Sequence, residues 1–325
     1  MNLCEIVASY MKLQTKIPLQ PELDQIDYGS KVLLMGSCFV EHIGEKLEYF
    51  QFLNLQNPFG IVFHPIAIEK LITRAINEDY YTEKDVMFIN EQWFCFEAHS
   101  SVSNSNKEDF LVTLNGRLKQ LQEYILNATH IVFTYGTAWV YRFLETDTVV
   151  ANCHKIPQKK FLKELLSVEE IEASIENTYT LIRSVNPKSR LIQTVSPVRH
   201  LKDGFIENTR SKAHLIASIH ELVNPRIGLH YFPSFEIMMD ELRDYRFYTE
   251  DMLHPNSTAT SIIWERFSTT WISSATTGLQ KEIESVQLGL EHRPFRPASD
   301  AHQLFKKDLQ EKIEKLRLEI PHLKL

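Results

Sequence analysis

The sequence predicts an α/β protein, a three-layer α/β/α arrangement in which a roughly five-stranded parallel sheet is wound with helices on both faces. Three observations predict it. Apolar runs alternate with helical patterns along the chain, as strand-helix-strand units require. The runs are apolar at successive positions rather than at every second one, the character of strands covered on both faces. A chain of 325 residues, 43% of them hydrophobic, is also long enough to bury one large core.

The elements follow in order. Residues 1–20 read as an N-terminal extension, with Met11 as a second start residue. The first strand runs from Lys31 to Met35 and leads into a helix from Val40 to Phe50, after which Gln51 to Leu55 reads as a further short strand. Between residues 78 and 106 the pattern breaks. Val86 to Ile89 and Trp93 to Phe96 flank the polar Asn90-Glu91-Gln92, a hairpin read as a small β insertion over the carboxyl edge of the sheet. Helices from Phe110 to Asn127, Val168 to Val185 and Ser211 to Val223 each precede a strand: His130 to Tyr135, Ser189 to Val195, and Ile227 to Phe232. A helix from Thr258 to Ile272 closes the main domain, 21–277.

Residues 278–325 form a C-terminal helical appendage in which Phe305, Leu309, Ile313, Leu316 and Ile320 make a short apolar seam. Such a seam docks on its own domain or pairs two copies into a homodimer; it is shorter than the roughly three to four heptads of a dimerising coiled coil.

Composition narrows the partners. The net charge of -7 and the lack of a Lys/Arg block interleaved with aromatics give no field for a nucleic-acid backbone. Cys4, Cys38, Cys95 and Cys153 lie far apart without a Cys-x-x-Cys pair, which suggests reduced thiols and a cytoplasmic location. The first residues lack a basic start, and no window approaches the roughly 20 apolar residues of a membrane span. His64, His99 and His154 fall in loops without a compact metal-ligand spacing, so neither a metal nor an organic cofactor is expected.

Chemistry is suggested at two places. Ser37 follows the first strand and opens a helix, where open α/β sheets place reacting groups and where the amides of Ser37 and Cys38 suit a developing oxyanion. Far along the chain, Asp251-Met252-Leu253-His254 lets one turn carry a histidine to take the Ser37 proton and an aspartate to orient its imidazole. Asn256 or Ser257 caps the next helix, and the same turn read blandly does no more than build that cap. Cys38 at a helix start is an alternative nucleophile or a small packing residue. Arg199 ends a strand and binds an anionic or hydroxylated ligand, or pairs with the acidic block around Asp240, Glu241 and Asp244.

Gly36-Ser37-Cys38-Phe39-Val40 closely resembles the signature of the GSCFA family, itself similar to the SGNH hydrolases. Further blocks resembling the family include Asn57 to Ile61, Thr134 to Trp139, Asn152 to Lys155, Thr194 to His200, Tyr231 to Glu236 and Asp240 to Tyr248, in order from about Gly36 to Phe267. The resemblance implies a flavodoxin-like SGNH hydrolase fold with Ser37 as nucleophile, His254 as general acid/base and Asp251 as its orienter. It also implies an oxyanion site that draws on the amides of Ser37 and Gly60 and on the third block, which begins at Gly136. The chain departs from the SGNH pattern twice. Met35-Gly36-Ser37 replaces Gly-Asp-Ser, and Ala138 stands where an asparagine donor belongs. Asn152 is the first candidate substitute for that donor and Thr137 the second. The function so implied is a serine esterase or O-acyltransferase acting on an acyl ester, of a carbohydrate or another small molecule. The competing class is a binding or scaffold protein with little or no catalysis, since losing one oxyanion donor costs about 10²–10³ in rate.

Overall fold

The computed structural model describes residues 14–325. The first part of the expected extension, with Cys4, lies outside the described residues. The rest of it is docked on the domain, the Ile17 amide donating to Glu241 Oε1 at 2.6 Å; just beyond it, the Ile26 amide donates to the Trp271 carbonyl at 2.7 Å.

The chain order is β1 (Lys31–Gly36), α1 (Cys38–Tyr49), β2 (Leu53–Gln56), α2 (Pro65–Ile76), β3 (Val86–Ile89), β4 (Gln92–Cys95), α3 (Lys107–Asn127), β5 (His130–Tyr135), β6 (Trp139–Phe143), β7 (Thr148–Val150), β8 (Phe161–Leu165) and α4 (Val168–Val185). It continues with β9 (Arg190–Val195), α5 (Phe205–Leu222), β10 (Leu229–Tyr231), the single turn α6 (Ser234–Glu236), α7 (Ser257–Trp271), α8 (Thr277–Glu291) and α9 (Asp300–Glu319).

The main sheet has five strands in the order β10-β9-β5-β1-β2, all parallel. Counted along this sheet alone, that is the flavodoxin-like order 2-1-3-4-5, whose direction of winding reverses between the first and third strands. The crevice at that reversal lies outside the carboxyl ends of β1 and β5, beside Ser37 and Gly136. Alternate residues of each strand feed opposite layers. Leu33, Met35, Ile131, Phe133, Leu191 and Val195 pack against α2, α3, α4 and α5. Val32, Leu34, Val132 and Ile192 pack against α1 and α7. This two-sided burial is why the strands are apolar throughout, and it bears out the three-layer expectation.

Helix α2 begins without a common capping residue. The imidazole of His64 accepts from the Ala67 amide at 3.2 Å, with Pro65 in the first turn. The hairpin β3–β4 closes through Asn90 and Glu91, both left-handed (φ 48° and 63°). It is anchored to α2 by Glu97, which accepts from Tyr81 at 2.9 Å and pairs with Arg74 at 2.9 Å and Lys70 at 3.0 Å. A separate antiparallel sheet, β7-β6-β8, stands beside the carboxyl end of the main sheet. The seam of α9 is covered within the chain: Ile313, Leu316 and Ile320 pack against Ile283 and Val286 of α8. No helix among the described residues is long and apolar enough to cross a membrane.

Gly36 lies opposite Thr134 at the end of the parallel pairing of β1 with β5. Its φ is 141°, and a Cβ there would lie 2.1 Å from the Thr134 carbonyl oxygen. Because that neighbour is backbone, the strands themselves must part to admit it. Gly36→Ala is therefore expected to destabilise the fold by about 3 kcal/mol or more, read as a fall in the denaturant midpoint with an unchanged slope.

Candidate active site

Ser37 ends β1 and is the N-cap of α1, with extended backbone (φ -68°, ψ 168°). It is 0% exposed, and its hydroxyl has no hydrogen-bond partner, neither capping the helix nor meeting a base. A buried hydroxyl without a partner carries a desolvation cost of about 1–3 kcal/mol.

Asp251 and His254 are brought together by their own turn. His254 Nδ1 lies 2.6 Å from Asp251 Oδ2. The other carboxylate oxygen accepts from Thr249 Oγ1 at 2.6 Å, from the Leu253 amide at 2.8 Å and from the His254 amide at 3.0 Å. These bonds, the Thr249 hydroxyl first, hold the Asp251 carboxyl well below the usual carboxylate range. The turn is closed by the Thr249 amide on the His254 carbonyl at 2.8 Å. Asn256, which caps α7 through the Ala259 amide at 3.0 Å, also donates to the Arg246 carbonyl at 2.6 Å. The pair is half-exposed, and no hydrogen bond joins it to Ser37.

His200 stands beside Gly136 at the end of β5. Its Nε2 is buried without a partner and would lie 3.1 Å from a Cβ on Gly136, while its ring meets Phe63 edge-on at 5.3 Å. Burial first, then the Lys212 and His254 charges, push its pKa down to about 3. The Arg199 amide reaches the Leu253 carbonyl at 3.5 Å, which ties this loop to the Asp251–His254 turn.

The backbone amides expected to hold an oxyanion have acceptors within the fold. The Ser37 amide donates to the Thr134 carbonyl at 2.9 Å, and the Gly60 amide to the Asn57 carbonyl at 2.7 Å. The amides of Gly136 and Thr137 both donate to the Phe63 carbonyl, at 2.7 and 3.1 Å. The Thr137 hydroxyl meets Ser211 Oγ at 3.0 Å and accepts from the Trp139 amide at 3.0 Å. Asn152 accepts from Ser100 and from the His154 amide, building its own loop. Gly60 is a turn glycine (φ 73°) whose missing Cβ leaves room for His99. The amides that remain are the first two of α1, Cys38 and Phe39, since helix geometry gives them no intrahelical acceptor and Val40 already donates to the Ser37 carbonyl at 3.0 Å. The Cys38 thiol beside them is raised in pKa, chiefly by burial and then by Glu41, which disfavours the thiolate that a nucleophile needs.

Arg199 forms no pair with the acidic block. Its guanidinium donates to Met239 Sδ at 3.3 Å and lies 6.0 Å from the Tyr248 ring, while Asp240 faces Arg243 and Asp244 faces Arg246. His64 and His154 are structural. Burial lowers both to about 4, and their Nε2 atoms meet the Val150 carbonyl at 3.2 Å and the Cys95 carbonyl at 2.7 Å.

Two features were not foreseen. Lys212 is 1% exposed, donating to the Gly136 carbonyl at 2.7 Å and the Ser196 carbonyl at 2.8 Å, and burial brings its pKa down to about 7. Its signal was present: Lys212 shares the apolar phase of α5 with Leu215 and Ile219, three and seven residues on. The second is a cavity of about 480 Å³ between the β6–β8 sheet and residues 152–158, whose lining includes Phe63 and Thr137 beside the end of β5.

Ser37 thus stands at the reversal of the strand order, and the Asp251–His254 pair sits on a turn of its own. The chain belongs to the GSCFA family, whose model matches residues 31–267. Residues 283–325 match the C-terminal domain of GSCFA domain proteins. Two solved structures are similar in outline. One is a carbohydrate esterase family 3 from Talaromyces cellulolyticus, 8% identical, with 79% of this chain and 99% of that chain covered and a TM-score of 0.36. The other is a mutant acetyl esterase with acetate ion, 9% identical, with the same coverage and TM-score. The sequence matches no curated protein.

Proposed function

We propose that the protein is a serine acyl-ester hydrolase or O-acyltransferase of the SGNH kind, acting through Ser37, His254 and Asp251 on an acyl ester of a carbohydrate or related small molecule. The observation that carries this reading is the 2.6 Å contact of His254 Nδ1 with a carboxylate fixed by three further donors, which leaves Nε2 free to take a proton. Ser37 Oγ attacks the acyl carbon while its proton passes to His254 Nε2. The alcohol then leaves with that proton, and water or a second hydroxyl releases the acyl group by the reverse transfer. The Cys38 and Phe39 amides, at the positive end of α1, receive the oxyanion. Ser37 is covered in the state described, so turnover requires an opening that admits substrate and brings His254 onto the hydroxyl. The free thiols of Cys38, Cys95 and Cys153 fit a reducing compartment such as the cytoplasm.

A second reading, a binding or scaffold protein without turnover, is favoured by the absence of a Ser37–His254 hydrogen bond and by Ala138 in the third block. Intact-mass labelling with a serine-directed phosphonate separates the two. The expected result is a single adduct on the wild type that is lost in Ser37→Ala and strongly slowed in His254→Ala. No adduct on folded wild type, after incubation long enough for loop opening, would favour the binding reading.

A further inference from the structure

We propose that the cavity between the β6–β8 sheet and residues 152–158 is a binding cleft for the non-acyl part of the substrate, and that this part is an anionic sugar bearing a carboxylate. The inference rests on the acyl-ester reading of the adjoining crevice and adds the class of alcohol the site accepts.

Position comes first. Phe63 and Thr137 line the cavity, and the Phe63 carbonyl receives the amides of both Gly136 and Thr137 at the end of β5. A ligand in the cleft therefore abuts the turn that flanks Ser37. The volume of about 480 Å³ lies within the range of small-molecule sites.

The lining supplies the chemistry. Trp139, Tyr141 and Phe161 provide aromatic surface, and Asn152 and Gln158 provide amides. This mixture of ring faces with neutral donors and acceptors suits the apolar and hydroxylated sides of a sugar. Two lysines, Lys155 and Lys202, complete the lining. Among the described residues neither has a carboxylate within ion-pair distance, whereas nearby Lys163 is paired with Asp203 and covers the Trp139 ring at 4.4 Å. The Lys202 charge is close enough to draw down the pKa of the Cys153 thiol in the cleft wall, against the larger upward push of burial.

The loop bearing Lys155 is held in an unusual shape. His154 and Lys155 are consecutive left-handed residues (φ 48° and 61°), and neither is glycine. Such backbone is unfavourable for a residue with a side chain and persists only where neighbours fix it. Here His154 is clamped by the Cys95 carbonyl at 2.7 Å, Asn152 Oδ1 at 2.9 Å and the Phe94 ring at 4.8 Å. The clamp sets Lys155 on the cleft wall opposite the sheet; Lys155 and Lys202 are both exposed, Lys202 lies 5.9 Å from the Tyr141 ring, and a carboxylate bound in the cleft would give both an anionic partner. An uncharged sugar leaves both cations without one.

The test is binding of glucuronate to the full chain by calorimetry or ligand-observed NMR at low salt, with glucose as the uncharged match. Glucuronate is expected to bind at least about tenfold more tightly than glucose, and Lys155→Gln with Lys202→Gln together to erase that preference. Each single variant should lose part of it, with thermal melts confirming that the fold is kept. Equal binding of the two sugars, no binding of either, or an unchanged preference in the double variant overturns the proposal. Phosphonate labelling of the wild type reports separately on the acyl-ester reading. Labelled Ser37 with no glucuronate preference sinks the cleft alone; a lysine-dependent preference without labelling sinks the reading on which it rests.

Discussion

Asp251→Asn is expected to slow turnover of a simple acyl ester such as p-nitrophenyl acetate by about 10⁴-fold, the loss that attends a wrong histidine tautomer in a Ser-His-Asp site. Asparagine preserves most of the turn. Its carbonyl oxygen still accepts from Thr249 Oγ1 and from the Leu253 and His254 amides, as Asp251 Oδ1 does. The remaining bonds, Thr249 amide to His254 carbonyl and Asn256 to Arg246, involve neither carboxylate oxygen. What changes is the atom facing His254 Nδ1, an acceptor oxygen at 2.6 Å in the wild type and an NH₂ donor in the variant. A neutral imidazole opposite a donor carries its proton on Nε2, the atom that must receive the Ser37 proton. The imidazolium that forms at the transition state also loses its counter-charge. The loss should appear in kcat with little change in KM, because Asp251 stands behind the histidine. A variant within tenfold of wild type, with the wild type active, would reduce Asp251 to a staple of the turn.

The sequence is legible where structure is local. The β1 and β5 patterns stand out because both faces of those strands are buried, and the Asp251–His254 pair stands out because one turn carries both partners. The last strand is shorter than expected: Gly228 adopts a left-handed turn (φ 78°) before Leu229, and Phe232 leads out toward Pro233. Helix α2 was missed although Ala67, Ile68, Leu71, Ile72 and Ala75 follow a helical period, because an imidazole caps it where serine, threonine or aspartate is usual. The β6–β8 sheet was missed because cross-strand charges such as Arg142 and Glu164, 3.0 Å apart, interrupt its apolar alternation. The oxyanion donors lay beyond local reasoning altogether. Which amide is free depends on the carbonyls of Thr134, Asn57 and Phe63, and two of these lie far in sequence from the amides they take.

Lys212 gives the second large effect, on stability as a function of pH. Its amine is enclosed, donates to two carbonyls, and has no carboxylate within ion-pair distance among the described residues. Burial brings the folded pKa to about 7, against which the Cys38 thiolate would act in the upward direction. An unfolded lysine titrates near 10.4. Between these values the unfolded chain holds the proton and the folded chain does not, so stability rises with pH at up to ~1.4 kcal/mol per unit. Below pH 7 both states are protonated, the slope vanishes, and the cost of burying the charge is fully present. Across pH 7 to 9 the gain is about 2–3 kcal/mol. The buried thiols act in the opposite sense at higher pH. Burial raises Cys95 to about 12 and Cys153 to about 11, so the folded state keeps protons that the unfolded state releases, and stability falls as pH passes the ordinary thiol range. Lys212→Met leaves those terms in place and removes only its own. Denaturant midpoints from pH 6 to 9 should therefore rise in the wild type relative to the variant. At pH 6 the variant escapes the buried charge but leaves the Gly136 and Ser196 carbonyls without their donor, a loss of about 1–3 kcal/mol. The level of the two curves thus depends on competing effects, whereas their difference in slope follows from the amine alone. Parallel curves would mean that Lys212 keeps its proton in the folded state through the whole range, with water or a moving loop supplying the solvation that the closed crevice withholds.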